Sequence, residues 1–256
     1  MEEIKSILSG YQPISLEEMD AVRLMSRTDT KFTFSRTHLP EILHFLKEDY
    51  RVVTLGGNQT SKYESLYFDT PEFQFYLKHH QGKLNRYKVR IRKYVESDLI
   101  FFEVKKKNNK KRTIKKRVME TGTDVSLKKV SIQHFLSSNK ITIPEGLEEK
   151  LWVNYTRITL VNKNIPERVT LDINLEFLNE SRQKKISDIV VAEVKQDRKM
   201  KSVFMELMRQ KKMREGGVSK YCLGVIHLFD DLKYNNFKPK LLSLNKISHD
   251  ANPFTM

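Results

Sequence analysis

Arg86-Tyr-Lys-Val-Arg-Ile-Arg-Lys-Tyr94 is the stretch whose reading decides the fold. A β-strand sends alternate side chains to opposite faces. Read as a strand, it puts Arg86, Lys88, Arg90, Arg92 and Tyr94 on one face and Val89 and Ile91 on the other. The next segment, Leu99 to Lys107, sets Glu103, Lys105 and Lys107 opposite Phe102 and Val104. A third, Arg112 to Val118, sets Lys115 and Arg117 opposite Ile114 and Val118. Residues 86–117 hold 14 Lys or Arg against 3 acids, a net +11, while the other 224 residues carry only +4. The basic character is therefore local and lies on strands. Cations in consecutive rows repel, and three arrangements relieve that: a solvated outer sheet face, a surface for nucleic acid, or the lining of a closed barrel around a polyanion.

Working outward, five more segments share the design. Arg27 to Phe34, Glu64 to Asp69, Leu151 to Val161, Arg168 to Phe177 and Ile189 to Lys195 each alternate apolar with charged or polar residues. Acids recur at wide separation among the polar positions: Glu103, Asp172, Glu176 and Glu193. Helical spacing appears over 15–26, 38–48, 72–81, 130–138, 198–213 and from Ser219 onward. A barrel closes every strand edge, and helices can cover its apolar outer side. The expectation is an α+β fold, an eight-stranded antiparallel β-barrel with helices packed on the outside. It forms one domain over 1–232, followed by a loosely packed C-terminal tail over 233–256, where no period is evident.

Composition narrows the function classes. The sequence pI is about 9.7, which points to an acidic partner or substrate. The single cysteine, Cys222, excludes an internal disulfide and reads as a core thiol. No apolar run reaches membrane-helix length, and Met1-Glu-Glu-Ile-Lys5 lacks a signal-peptide profile. A cytoplasmic location is the expectation, and any coupling to a membrane falls to a partner. The Gly-x-x-x-x-Gly-Lys phosphate loop is absent. Nucleic acid is disfavoured: Tyr87 and Tyr94 flank the basic run rather than interleave it, and the Phe101–Phe102 pair reads mostly as apolar-side.

Seven motifs in order carry a resemblance. They are Arg27-x-Asp29-x-Lys31-Phe32, Ser65-Leu-Tyr-Phe-Asp-Thr70, Arg86-x-Lys-x-Arg-x-Arg92-x-Tyr94, Glu103-x-Lys105, Arg168-x-Thr-x-Asp172, Glu193-x-Lys195 and Ser219-Lys-Tyr221. Together they resemble the catalytic domain of the vacuolar transporter chaperone (VTC) proteins, within the CYTH-like triphosphate tunnel metalloenzymes. The resemblance implies an eight-stranded tunnel and transfer of the γ-phosphoryl of ATP to a polyphosphate chain. Its alternatives are tripolyphosphate or nucleoside triphosphate hydrolysis and non-catalytic binding of polyphosphate or nucleic acid. It implies that Arg90, Arg92, Lys105, Lys195 and Lys220 carry the chemistry. Lys31, Arg27, Lys88, Arg117, Arg157, Arg168 and His80 would bind substrate phosphates. Glu193, with Glu103 and Asp172, would hold Mn²⁺ or Mg²⁺. Arg27 and Asp29 stand where many superfamily members carry two glutamates, which removes one carboxylate from the usual hydrolase set and favours the polymerase.

Overall fold

A computed structural model describes residues 1–21, 28–109, 113–120 and 129–251. In chain order the elements are α1 (Glu2–Ser9), β1 (Pro13–Ile14), α2 (Leu16–Ala21), β2 (Thr28–Ser35), α3 (Leu39–Leu46), β3 (Tyr50–Val53), β4 (Ser61–Asp69), α4 (Gln74–His80), β5 (Arg86–Tyr94), β6 (Leu99–Lys107) and β7 (Thr113–Glu120). They continue with α5 (Lys129–Ser138), β8 (Glu148–Asn162), β9 (Glu167–Leu178), β10 (Gln183–Ile186), β11 (Ile189–Gln196), α6 (Val203–Gln210), α7 (Lys220–Leu228) and α8 (Lys238–Ala251). All eight strands expected from alternation are present. The sequence-predicted helix over 15–26 is described only as α2, and its second half lies outside the described residues.

The eight strands form one antiparallel path, β2-β11-β9-β8-β4-β5-β6-β7, and short β1, β3 and β10 extend the sheet to eleven strands. The expected closure is not observed. Among the described residues no ladder joins β2 to β7. The chain itself occupies the β2 edge: Gly216 N–H donates to Lys31 C=O at 2.8 Å, and Glu215 bridges Phe32. A Cβ on Gly217 would lie 2.6 Å from the Lys31 side chain, so only glycine fits this crossing unless Lys31 moves.

The crossing carries the chain from one face of the sheet to the other. On the apolar parity, Phe32, Phe34, Ile158, Leu160, Val169, Leu171, Val190 and Ala192 pack with residues of α1, α3 and α6. Further along, Leu66, Phe68, Val89, Ile91, Phe102 and Val104 pack with Phe75 of α4 and Phe135 of α5. After the crossing, α7 lies on the opposite face. Its Tyr221, Cys222, Val225 and Leu228 pack with Tyr67, Val153, Tyr155 and Val191, which share the parity of the charged residues. The expectation that helices cover only the outside is corrected here. An apolar end of the polar face binds α7, because Leu151, Val153, Leu175 and Phe177 replace charges there.

Two further corrections follow. The β8–β9 register shifts between Asn154 and Thr156, opposite Asn174, whose φ is +52°. Such a bulge flips the parity beyond it. Glu176 therefore pairs with Asn154 and leaves the face that holds Asp172; it accepts from Gln183 at 2.6 Å. Over its described residues the expected loose tail is ordered: α8 is helical, and Phe237 and Leu244 are buried against the α7 cluster.

Gly224 shows how closely α7 approaches the sheet. A Cβ there would sit 2.7 Å from Leu151 Cδ1 and 2.8 Å from Phe177 Cδ1. Overpacking a core typically costs about 1–3 kcal/mol. Gly224→Val is expected to lower the urea midpoint by an amount equivalent to about 2 kcal/mol or more. An unchanged midpoint would mean that α7 does not pack on this face.

Candidate functional site

The polar face is organised by three carboxylates, buried Glu103 and Asp172 and half-buried Glu193, each holding two cations. Glu103 of β6 lies opposite Arg90 of β5. Its Oε2 accepts from Arg90 Nε at 2.8 Å and Nη2 at 2.5 Å, and Lys115 of β7 pairs with Oε1. Asp172 of β9 lies opposite Arg157 of β8 and accepts from it at 2.6 and 2.8 Å, while Lys220 at the start of α7 reaches Oδ2 at 2.6 Å. Glu193 of β11 is shared between Lys31 of β2 and Lys195 of its own strand. Burial alone would raise the Asp172 carboxyl, but Arg157 and Lys220 outweigh it and hold the group at about 2. The Glu103 and Glu193 carboxyls are likewise held below the ordinary range, against their burial, by Arg90 with Arg92 and by Lys195 with Lys31 respectively.

Other cations on the face have no acid among the described residues. Lys105 has no ion-pair partner among the described residues, and its ammonium is pushed well below the usual lysine range, first by Arg90, then by burial and Arg92. Arg92 is buried without a carboxylate; its Nε donates to Ser65 Oγ at 3.1 Å, and its guanidinium lies over the Tyr63 and Tyr155 rings. Lys88 donates to Ser219 Oγ at 3.0 Å and is lowered by burial. Lys88 belongs to β5 and Asp172 to β9, with β4 and β8 between these strands. Yet they contact the adjacent residues Ser219 and Lys220. The face therefore curls around the N-terminus of α7. Burying like charges side by side is costly unless an anion neutralises them, and Arg and Lys together supply bidentate and point-charge phosphate contacts.

Most predicted site residues lie on this one face: Lys31, Lys88, Arg90, Arg92, Lys105, Arg157, Lys195 and Lys220 with the three acids. Arg117 lies opposite Glu103 at the exposed β7 edge, over the Phe101 ring at 4.7 Å. Arg168 lies opposite Val161 and Lys195. Arg27 lies outside the described residues. His80 is not brought to the face: Nε2 accepts from Asn236 N–H and the ring packs on Phe237, so it anchors the turn before α8. Instead His79 approaches it, with Nδ1 3.2 Å from Cys222 Sγ; burial, then Lys88 and Arg86, lower this imidazole to about 3. Sequence reasoning placed Lys115 on the parity of Arg117 without a site role, and missed Tyr67, whose hydroxyl accepts from Arg90 Nη1 at 2.8 Å. It also missed Asp69, whose carboxylate accepts from the N–H groups of Thr70, Phe75 and Tyr76 and from the Tyr221 hydroxyl, joining β4, α4 and α7.

The three acids are not brought together as a metal cage. Among the described residues no group of three His, Cys, Asp or Glu could hold an ion. Glu103 has no solvent exposure, and Asp172 is chelated by Arg157. Neither fits as a metal ligand. Glu193 fits as a single carboxylate: its side chain is 23% exposed, and both of its partners are flexible lysines. One carboxylate plus substrate phosphates is a usual Mg²⁺ environment.

Comparison with known proteins finds a family model and several solved structures. The family model described as the VTC domain matches residues 26–229. No curated relative matches the sequence. A solved candidate adenylate cyclase from Bacillus halodurans has 14% identity and a TM-score of 0.50, covering 80% of this chain and 100% of its own. A candidate adenylyl cyclase from Hippeastrum, described as having a dominant triphosphatase activity, has 11% identity and a TM-score of 0.49, covering 77% and 95%. One from Vibrio parahaemolyticus has 14% identity and a TM-score of 0.45, covering 78% and 99%. The Bacillus likeness concerns the fold. No described helix is long and apolar enough to cross a membrane.

Asp172 makes the charge pairing testable. Its folded carboxyl titrates at about 2 against an ordinary 3.8, so its stabilisation is complete above about pH 4 and is lost as pH falls through 2. That shift corresponds to about 2 kcal/mol. Asp172→Asn, which leaves Arg157 and Lys220 without their acid, is expected to cost about 3–5 kcal/mol at neutral pH. The gap between wild type and variant should narrow between pH 4 and 2 in urea titrations. A gap independent of pH would refute the pairing.

Proposed function

The chain belongs to the VTC-domain family, and from that premise we propose that it is a polyphosphate polymerase-like enzyme. It would bind ATP along the polar face and transfer the γ-phosphoryl to a polyphosphate chain. The observation that carries this reading is the cluster of buried Arg92 with half-buried Lys105 and Lys88, cations without a carboxylate among the described residues, beside the neutralised Arg90–Glu103–Lys115 group. In this reading the polyanion lies along the curled face.

The division of labour follows from the pairs. Arg90 and Arg157, clamped by buried acids, are rigid donors. Arg92 presents its guanidinium, and Lys31, Lys195 and Lys220 turn from their acids toward phosphate oxygens. Phosphoryl transfer needs alignment and charge neutralisation more than covalent help. The acceptor, a phosphate chain end, is already a nucleophile, so no strong base is required. Mn²⁺ or Mg²⁺ would add charge neutralisation at the β- and γ-phosphoryl oxygens, with Glu193 as its protein ligand. A cytoplasmic location, where ATP is available, goes with this reading, and any membrane coupling would belong to a partner.

Four measurements test it. With ATP and Mn²⁺ or Mg²⁺, ³¹P NMR should show internal phosphate growing as ADP forms, without matching orthophosphate. Orthophosphate equal to ADP would assign a triphosphatase, and no turnover with a polyphosphate primer would leave a binder. Glu193→Gln should abolish most turnover in either enzyme and leave a binder unaffected. Arg92→Ala should weaken tripolyphosphate binding about ten- to hundred-fold, the usual loss for a charge-assisted contact. Because Lys88, Lys105 and Lys115 start below the ordinary range, a bound polyanion should raise them. Binding should then take up protons and weaken as pH rises. Calorimetry in buffers of different ionisation enthalpy reads the sign; proton release would contradict the role given to these lysines.

A further inference from the structure

The two ends of the polar face differ in chemistry. One ends in cations: Arg86, Lys88, Lys105 and Lys107, with Lys88 opposite Lys105 and Arg86 opposite Lys107. The other ends in a row of rings drawn from four strands. Tyr155 of β8 stacks on Tyr63 of β4 with centroids 5.1 Å apart and planes 6° apart. Tyr63 meets Tyr94 of β5 at 4.9 Å, and Tyr94 meets Phe101 of β6 edge-on at 5.7 Å. Met119 of β7 stands opposite Phe101, 53% exposed.

This row is not simply core. Tyr155 is buried against α7 and Phe101 is buried, but Tyr63, at the margin of the α7 cluster, and Tyr94 are half-buried, and Tyr94 joins none of the hydrophobic clusters among the described residues. Guanidinium groups edge it. Arg92 and Arg157 lie within 6 Å of both Tyr63 and Tyr155, and Arg117 lies over Phe101. Two half-buried rings, Tyr63 and Tyr94, backed by buried Phe101 and Tyr155 and edged by cations, suit a ligand with a flat ring joined to a polyanion. Planar bases stack on such rings at about 1–3 kcal/mol each.

We infer that the Tyr63–Tyr94–Phe101 row is a nucleobase subsite, which seats the base of a nucleoside triphosphate at this end while its phosphates run toward Arg90, Lys105 and Lys88. The inference rests on the phosphate-binding reading above and adds the donor's orientation. Base stacking would make the site a nucleotide site rather than a site for inorganic polyphosphate alone, with purines favoured over pyrimidines by their larger stacking area.

The test compares the binding of ATP, CTP and inorganic tripolyphosphate to the full chain, with a chelator present to suppress turnover. Tripolyphosphate carries at least the charge of ATP, so electrostatics does not favour the nucleotide. ATP is expected to bind about tenfold or more tighter than tripolyphosphate, with CTP between them. Tyr94→Leu should remove that advantage and leave tripolyphosphate binding within about twofold, while Tyr94→Phe should keep it; circular dichroism checks that both variants fold. Equal affinity for all three ligands in the wild type, or an equal loss for ATP and tripolyphosphate in Tyr94→Leu, overturns the subsite and leaves the phosphate reading standing. Binding of none of them removes both.

Discussion

The structure depends on how like charges are held on one face of a sheet. Rows of cations on adjacent strands place like charges about 5 Å apart, and the acids are spaced to break those rows. Glu103 sits between Arg90 and Lys115 on the flanking strands, Glu193 takes Lys31 across the β2–β11 ladder and Lys195 two residues along its own strand, and Asp172 joins Arg157 to a helix. One acid serves two cations at each point. This distribution explains the absence of a carboxylate cage, since acids spread to neutralise separate rows cannot also converge on an ion. It also divides the cations into two sets. Those held by Glu103 and Asp172 are fixed in place by their acids, while Lys105, Arg92 and Lys88 have no carboxylate among the described residues.

What could be read from the chain was whatever depends on a period of two. The eight strands, the parity of Arg90, Arg92, Lys105, Arg157 and Lys195, and the presence of acids among them all follow from alternation and are all found. The prediction ended where alternation breaks. Asn174, at positive φ, inserts one residue, and the parity count that placed Glu176 beside Asp172 fails beyond it. The α7 pattern shows an apolar side but not which sheet face receives it, so its place on the polar face was not legible. The aromatic row was hidden for a related reason. Interleaving was sought within residues 86–117, whereas Tyr63 and Tyr155 reach Arg92 from other strands. The region of α8 has only scattered apolar residues, and its order comes from packing Phe237 and Leu244 on α7.

The crossing at the β2 edge links the fold to the site. A sheet that closed β2 onto β7 would leave no passage at that edge for a chain going from α6 on one face to α7 on the other. The loop pairs with β2 at Lys31, needs glycine at 217, and delivers Ser219 to the centre of the polar face. There the Ser219 hydroxyl oxygen accepts from Cys222 N–H at 3.3 Å, capping α7, and from Lys88 Nζ at 3.0 Å. A hydroxyl has two lone pairs, so both bonds can be made at once. The helix start and the lysine therefore share one atom. Any shift of α7 moves Lys88 through Ser219 and Asp172 through Lys220, on opposite sides of the face. The basic surface takes its shape from a helix lodged within it, as well as from the strands that carry its charges.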